Sequence, residues 1–239
     1  MVCQQRKLLP RLGTRKLYHK LQPEFRSRGF KLGRDKLFLW IKEFGLLIRP
    51  GRRYVQTTMS RHHLRKYPNL VKDLKIKTPE QVWVSDITYI KTQQGTCYLN
   101  LVTDAFSRKI VGHAIAANME AVSMSRALEM ALKEKKTDKA TIHHSDRGLQ
   151  YCSNHYVKLA TGNKMKMSMT QDSDPYENAL AERMNRTLKE EFGLGNTLTD
   201  LKQAQQLVKQ AVDLYNNHRP HLSLQMKTPE QVHQIKIPV

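Results

Sequence analysis

The chain lacks long apolar runs. No stretch of about 18 apolar residues occurs in its 239 residues, so nothing reads as a membrane span. The basic start, Met1 to Pro10, is followed by no apolar h-region, and a secretory signal is not expected. Cysteine is scarce: Cys3, Cys97 and Cys152 stand far apart. They form neither a disulfide framework nor a zinc pattern, and a reducing cytoplasm fits them. Repeats and low-complexity tracts are absent. Acid is scarce where base is dense: residues 1–80 hold 21 Lys and Arg against 5 Asp and Glu, a net of +16. Residues 81–239 hold 20 against 16, a net of +4. A polyanion is the natural partner, because Lys and Arg displace counterions from phosphates. Charge alone does not choose between DNA and RNA, and a solubilising basic surface is the plainer alternative.

What is present falls into three stretches. Two helices are predicted over Thr14–Ser27 and Arg34–Phe44. Leu17, Leu21 and Phe25 form the stripe of the first; Leu37, Trp40, Ile41 and Phe44 form that of the second. A glycine-bearing turn, Arg28 to Gly33, joins them, so residues 1–48 have the outline of a helix-turn-helix. An ordinary helical hairpin has the same outline. Arg34, Lys36 and Lys42 are the candidate DNA contacts there. Residues 49–79 read as a basic linker that orders on DNA. Residues 80–239 then alternate. Strands are predicted over Val82–Lys91, Cys97–Thr103, Lys109–Ala116, Ala140–His144 and Lys164–Met169. Helices are predicted over Met119–Lys135, Ser153–Thr161, Pro175–Phe192 and Thr199–Asn217. Three strands in a row, followed by alternating helix and strand, imply an α/β fold with a mixed sheet covered by helices.

Three acids draw notice. Asp86 sits inside a nearly continuous apolar strand, Val82 to Ile90. A buried carboxylate needs a partner or a metal, so a backbone or Arg partner is the alternative to catalysis. Asp146 follows the strand ending at Ser145 and precedes Arg147-Gly148, a common site position in α/β sheets and also an ordinary turn. Glu182 lies in a helix whose predicted buried stripe is Leu180, Met184 and Leu188. Asn178, Asn185, Arg186 and Lys189 share its other side, where a solvated Glu–Arg pair is the alternative.

Together these acids become specific. Asp86 and Asp146 are separated by 59 residues, Asp146 and Glu182 by 35. Around them stand Trp83-x-x-Asp86-Ile87-Thr88-Tyr89-Ile90, Asp104-x-x-Ser107-Arg108-x-Ile110-Val111-Gly112 and His144-Ser145-Asp146-Arg147-Gly148-x-Gln150-Tyr151. Pro175-Tyr176-Glu177-Asn178-Ala179-x-x-Glu182, Tyr215-Asn216-x-x-Arg219-Pro220-His221 and Thr228-Pro229-Glu230 follow. With the helical hairpin from Gly13-x-Arg15-Lys16-Leu17, the chain resembles, over nearly its whole length, the second-frame transposases of bacterial insertion sequences. Their core is similar to retroviral integrase. Small departures are Glu177 where the family usually has Asp, Arg183 after the glutamate, and a short stretch before Gly13 that leaves the natural start open.

The resemblance implies a ribonuclease-H-like, five-stranded core behind a small helix-turn-helix-like module. It implies a DNA transposase that frees a 3′ end and joins it to a target by direct transesterification. Asp86 would bridge two Mg²⁺ ions, with Mn²⁺ as a substitute, and Asp146 and Glu182 would each hold one; hard cations prefer such carboxylates. Arg147, Asn178, Arg186, Lys189 and Arg219 are the candidate DNA contacts beside the acids. Expected partners are double-stranded DNA, at element ends and target, a homo-oligomer on that DNA, and an upstream-frame helix-turn-helix protein, with no membrane. The expected location is cytoplasmic, at the nucleoid. His143 and His144 are read as one buried histidine and one near the site mouth rather than as metal ligands. Asp104 is read as structural. Tyr215, Arg219 and His221 stand between structural and DNA roles. The alternatives are a ribonuclease-H-type nuclease that never joins, and a catalytically silent DNA-binding protein. A retroviral-type zinc module is disfavoured, since no Cys pair follows His62-His63.

Overall fold

The structure is a computed structural model describing residues 1–48, 63–171 and 178–235. Five strands form one sheet: β1 Val82–Thr92, β2 Gly95–Asp104, β3 Ile110–Ala116, β4 Ile142–Ser145 and β5 Lys166–Met169, in the order β3-β2-β1-β4-β5. β1 to β3 form an antiparallel meander, with Asp86 opposite Leu101. β4 joins β1 in parallel and β5 joins β4 in parallel. Parallel pairing demands crossovers. α4 (Ala121–Glu134) supplies the first, and α5 (Leu149–Cys152) with α6 (Asn154–Gly162) the second.

β1 is largely apolar and almost wholly buried because both its faces are covered. Trp83 and Ile87 pack with Leu128 of α4 and Tyr156 of α6. On the other face Val84 meets Ala181, and Ile90 joins Met184 and Leu188, all from α7 (Ala179–Glu191). α8 (Leu201–His218) lies on that same side, and α9 (Pro229–His233) follows a short 3₁₀ turn. Thr228-Pro229-Glu230 starts α9: Thr228 and Gln231 form a reciprocal capping box, and Glu230 pairs with Lys109 at 2.6 Å. Among the described residues no helix is long and apolar enough to cross a membrane.

The N-terminal helices are α1 (Val2–Leu8), α2 (Thr14–Ser27) and α3 (Arg34–Glu43). α1 escapes periodicity because it buries none of its own residues. The predicted stripe of α3 is half right. Leu37 and Ile41 are buried, but Trp40 is 44% and Phe44 71% exposed, since α3 rests on a seam only one residue wide at i, i+4 spacing. Leu17, Leu21, Phe25, Leu37 and Ile41 share one apolar cluster with Leu188, Val212 and Tyr215. Residues 1–48 therefore continue the α7/α8 layer rather than standing apart. Part of the expected linker, 49–62, lies outside the described residues. Residues 63–79 form no helix or strand yet are laid on the core: Leu64 and Tyr67 pack beside the α4/α6 cluster, and Val71, Leu74 and Ile76 beside Val82. Leu70 N–H donates to Ser168 Oγ at 2.9 Å, so this segment covers edge strand β5.

One ion cluster joins the layers. Glu191, ending α7, accepts from Arg219 Nε at 2.7 Å and Nη2 at 2.6 Å, with Lys16 Nζ of α2 at 3.7 Å. Lys20 Nζ donates to the His218 carbonyl at 3.2 Å. Burial, followed by the Arg219 charge, pushes the Lys16 ammonium down to about 8. The bidentate pair thus holds the junction, and Lys16 adds little to it. Arg219→Ala is expected to lower unfolding free energy by about 2–4 kcal/mol, below the figure for a fully buried pair because Glu191 keeps some solvent. Lys16→Met is expected to stay within about 1 kcal/mol of the parent. Urea unfolding of both variants decides; equal losses would contradict this ranking.

Candidate active site

Strand pairing brings two acids together. Ser85 of β1 lies beside Ser145, the last residue of β4, so Asp86 on β1 neighbours Asp146, which directly follows the end of β4. Asp86 is 8% exposed and faces α7. Burial, and then the charge of Asp146, pushes its carboxyl up to about 7; Glu182 adds to the rise, while the Asn185 hydrogen bond opposes it. Asp146 is held by its own loop, where Gly148 N–H donates to its Oδ1 at 2.9 Å. A Cβ on Gly148 would stand 2.9 Å from that same oxygen, so a larger residue there would displace the Asp146 carboxylate.

Glu182 stands in the first turn of α7, half-buried. Two amides bind its helix to β1. Asn178 Nδ2 donates to the Ser85 carbonyl at 3.1 Å, and Asn185 Nδ2 donates to Asp86 Oδ2 at 2.8 Å. The buried face of α7 is Ala181, Met184, Asn185 and Leu188, with Leu180 only half-buried. It is therefore rotated from the predicted stripe toward the amides. Asn185 as the partner of Asp86 was not foreseen; its i+3 spacing from Glu182 was the available signal. Among the described residues no group of three His, Cys, Asp or Glu is closed up as a metal cage. The donor set still suits a hard cation. The charges of Asp146 and Glu182 raise the cost of ionising Asp86, and a divalent ion would relieve that repulsion.

Beneath the acids, on the α4/α6 face, lies a buried polar network. Tyr151 Oη donates to Asn100 Oδ1 at 2.8 Å, and Tyr156 Oη and Ser85 Oγ meet His143 Nε2 at 2.9 and 3.0 Å. Burial holds His143 down at about 3, so it is a neutral hydrogen-bonding group. One of the two histidines was expected near the mouth, but His144 is as buried as His143, its Nδ1 2.8 Å from Ser168 Oγ. β5 covers it, because β4 is flanked on both sides. Asp104 is structural as expected, accepting from the backbone N–H groups of Glu80, Phe106 and Ser107.

The expected DNA contacts divide. Arg34, Lys36, Lys42 and Arg186 are exposed. Lys189 is half-buried, lowered by burial and raised in part by the Asp86 charge. Arg147 Nε donates to the Thr170 carbonyl at 2.7 Å. Asn178 and Arg219 are not at a DNA-facing surface; both are about 5% exposed and spend their donors inside the fold. Tyr215 and His221 are internal too, with Tyr215 Oη on the Arg108 carbonyl and His221 Nε2 on Arg219. Glu177 lies outside the described residues.

Family models described as the integrase core domain match residues 77–175 and 163–229. An insertion element IS600 protein of 31 kDa from Shigella sonnei is 34% identical over 93% of this chain and 85% of its own length. The transposase InsF for insertion sequence IS3A of Escherichia coli K12 is 30% identical over 89% of this chain and 74% of its own length. The chain belongs to the insertion-sequence transposases with an integrase core. It is thus a DNA transposase/integrase, a polynucleotidyl transferase. Solved structures place its fold. The HTLV-2 integrase catalytic core domain in complex with magnesium superposes with TM-score 0.52 at 18% identity, over 66% of this chain and 98% of that one. A simian T-cell lymphotropic virus intasome chain gives 0.57 at 18% identity, over 94% and 75%. The transposase accordingly has the ribonuclease-H-like mixed sheet of the integrase core.

Two substitutions test this geometry. Gly148→Ala is expected to leave the urea midpoint nearly unchanged, since a carboxylate tip yields cheaply, while strand cleavage falls about 10- to 100-fold as Asp146 is displaced. Asn185→Leu keeps the volume and removes the donor to Asp86. A similar fall in cleavage is expected, with folding retained by circular dichroism. Parent-like cleavage in either variant would contradict the role given to that residue.

Proposed function

We propose that Asp86, Asp146 and Glu182 form the catalytic triad of this transposase, acting in 3′-end cleavage and strand transfer of an insertion sequence. The observation that supports this most is the parallel pairing of β1 with β4, with Asn185 joining the Glu182 helix to Asp86. In this reading two in-line displacements occur at one place. Water frees a 3′-OH at the element end, and that 3′-OH then attacks a target phosphodiester. Asp86, Asp146 and Glu182 hold two divalent ions, Mg²⁺ or Mn²⁺. Bound there, such ions lower the pKa of the attacking oxygen's proton and relieve charge on the leaving 3′ oxygen. Asn185 keeps the Asp86 carboxylate turned to the site. Lys189, Arg186 and Arg147 bring positive charge to the phosphates nearby. Arg34, Lys36 and Lys42, exposed along α3, contact the duplex further out.

Joining requires two DNA ends held at once, so the active form is an oligomer on DNA, with an upstream-frame helix-turn-helix partner reading the ends. The test uses labelled DNA carrying the element end, in Mg²⁺, with the parent protein and Glu182→Gln. Nicked and joined strands from the parent are expected, with product at least about 10³-fold lower in the variant. Nicking without joining would leave a nuclease, and binding without products would leave a silent DNA-binding protein.

A further inference from the structure

A second feature of the N-terminal region lies apart from the acids. α2 and the turn that follows it border an open cavity of about 360 Å³, at the small end of the roughly 300–1,000 Å³ typical of ligand sites. Tyr18, Gln22 and Arg26 recur at i, i+4 and i+8, so they share one face of α2. Phe25 closes its inner wall, and Phe30 and Lys31 reach over it from the turn. The turn is held at both ends. Phe30 N–H donates to the Phe25 carbonyl at 2.8 Å, and Tyr18 Oη donates to the Leu32 carbonyl at 3.2 Å. Gly29, at φ +74, makes the reversal between them. The cavity is therefore shaped before any ligand arrives.

Its lining chemistry is uneven. Both charged side chains, Arg26 and Lys31, are cations, and no carboxylate lines it. The rings of Tyr18 and Phe25 stand 6.5 Å apart, and Phe30 is 58% exposed. Aromatic faces stack on nucleobases, cations hold phosphate, and an amide such as Gln22 both donates to and accepts from a base edge. A duplex offers no free base face to such a cavity. An unpaired nucleotide offers the base face, its edge and its phosphate together.

We propose that this cavity captures one unpaired nucleotide of the DNA substrate, with the base against Phe30 and the phosphate on Arg26 and Lys31. This deepens the function proposed above and rests on DNA being the substrate. The site would select frayed or overhanging ends over fully paired ones.

The experiment uses the full chain carrying Glu182→Gln, so that cleavage plays no part. Fluorescence anisotropy compares a blunt duplex with the same duplex bearing a three-nucleotide thymidine overhang; a second overhang carries 2-aminopurine to report stacking. About tenfold tighter binding of the overhang and a quenched 2-aminopurine signal are expected. Phe30→Ala, at an exposed position, is expected to abolish both while leaving blunt-duplex affinity within twofold. Phe30→Trp, which keeps a ring, is expected to retain both. Equal affinity for the two DNAs would overturn the proposal. So would a Phe30→Ala loss shared equally by both. Neither result would bear on the catalytic acids, whose failure would appear only in the cleavage assay with Glu182 intact.

Discussion

The parallel hydrogen-bonded pairing of β1 with β4 is the constraint on which the site depends. Side chains alternate along a strand, so a one-residue slip would send Asp86 to the opposite face. With Ser85 beside Ser145, Asp146 comes close enough for its charge to penalise ionised Asp86, and burial of Asp86 removes the water that would soften that penalty. The Asp86 carboxyl rises accordingly. The cation proposed for this site would relieve that penalty. The buried network of Asn100, Tyr151, Tyr156, His143 and Ser85 lies under the same two strands. It satisfies polar groups without adding another charge there.

The third acid arrives on a helix, and the helix is held at both ends. At its start Asn178 and at its middle Asn185 bind β1; at its end Glu191 is clasped by Arg219. The far clasp also meets Lys16 of α2, so the outermost helices and the Glu182 helix share one core and one ion cluster. Basic residues on α2 and α3 are therefore mechanically continuous with the catalytic layer.

Much of this was legible in residue order, for physical reasons. Burial on one face leaves a period: Leu17, Leu21 and Phe25 marked α2, and the nearly continuous apolar run around Asp86 marked a strand covered on both sides. Acid spacing and flanking motifs carried the family. Other features have no periodic trace. Asn185 turns inward although amides read as surface, because its partner is an acid 99 residues away. Arg219 reads as a DNA-facing cation until Glu191 is seen to take it. His144 is buried where β5 adds beyond β4 and its Nδ1 meets Ser168. Trp40 and Phe44 read as core, yet α3 is seated too narrowly to cover them. In each case the missing information was which distant element lies alongside.

The central claim is that Asp86, Asp146 and Glu182 together hold divalent cations. Anomalous diffraction from crystals of the protein grown with Mn²⁺ tests it most directly. The account predicts anomalous density between the Asp86 and Asp146 carboxylates, with Glu182 drawn toward it, and none in Asp86→Asn crystals grown alike. Density elsewhere in the parent, or density unchanged in the Asp86→Asn protein, would contradict it.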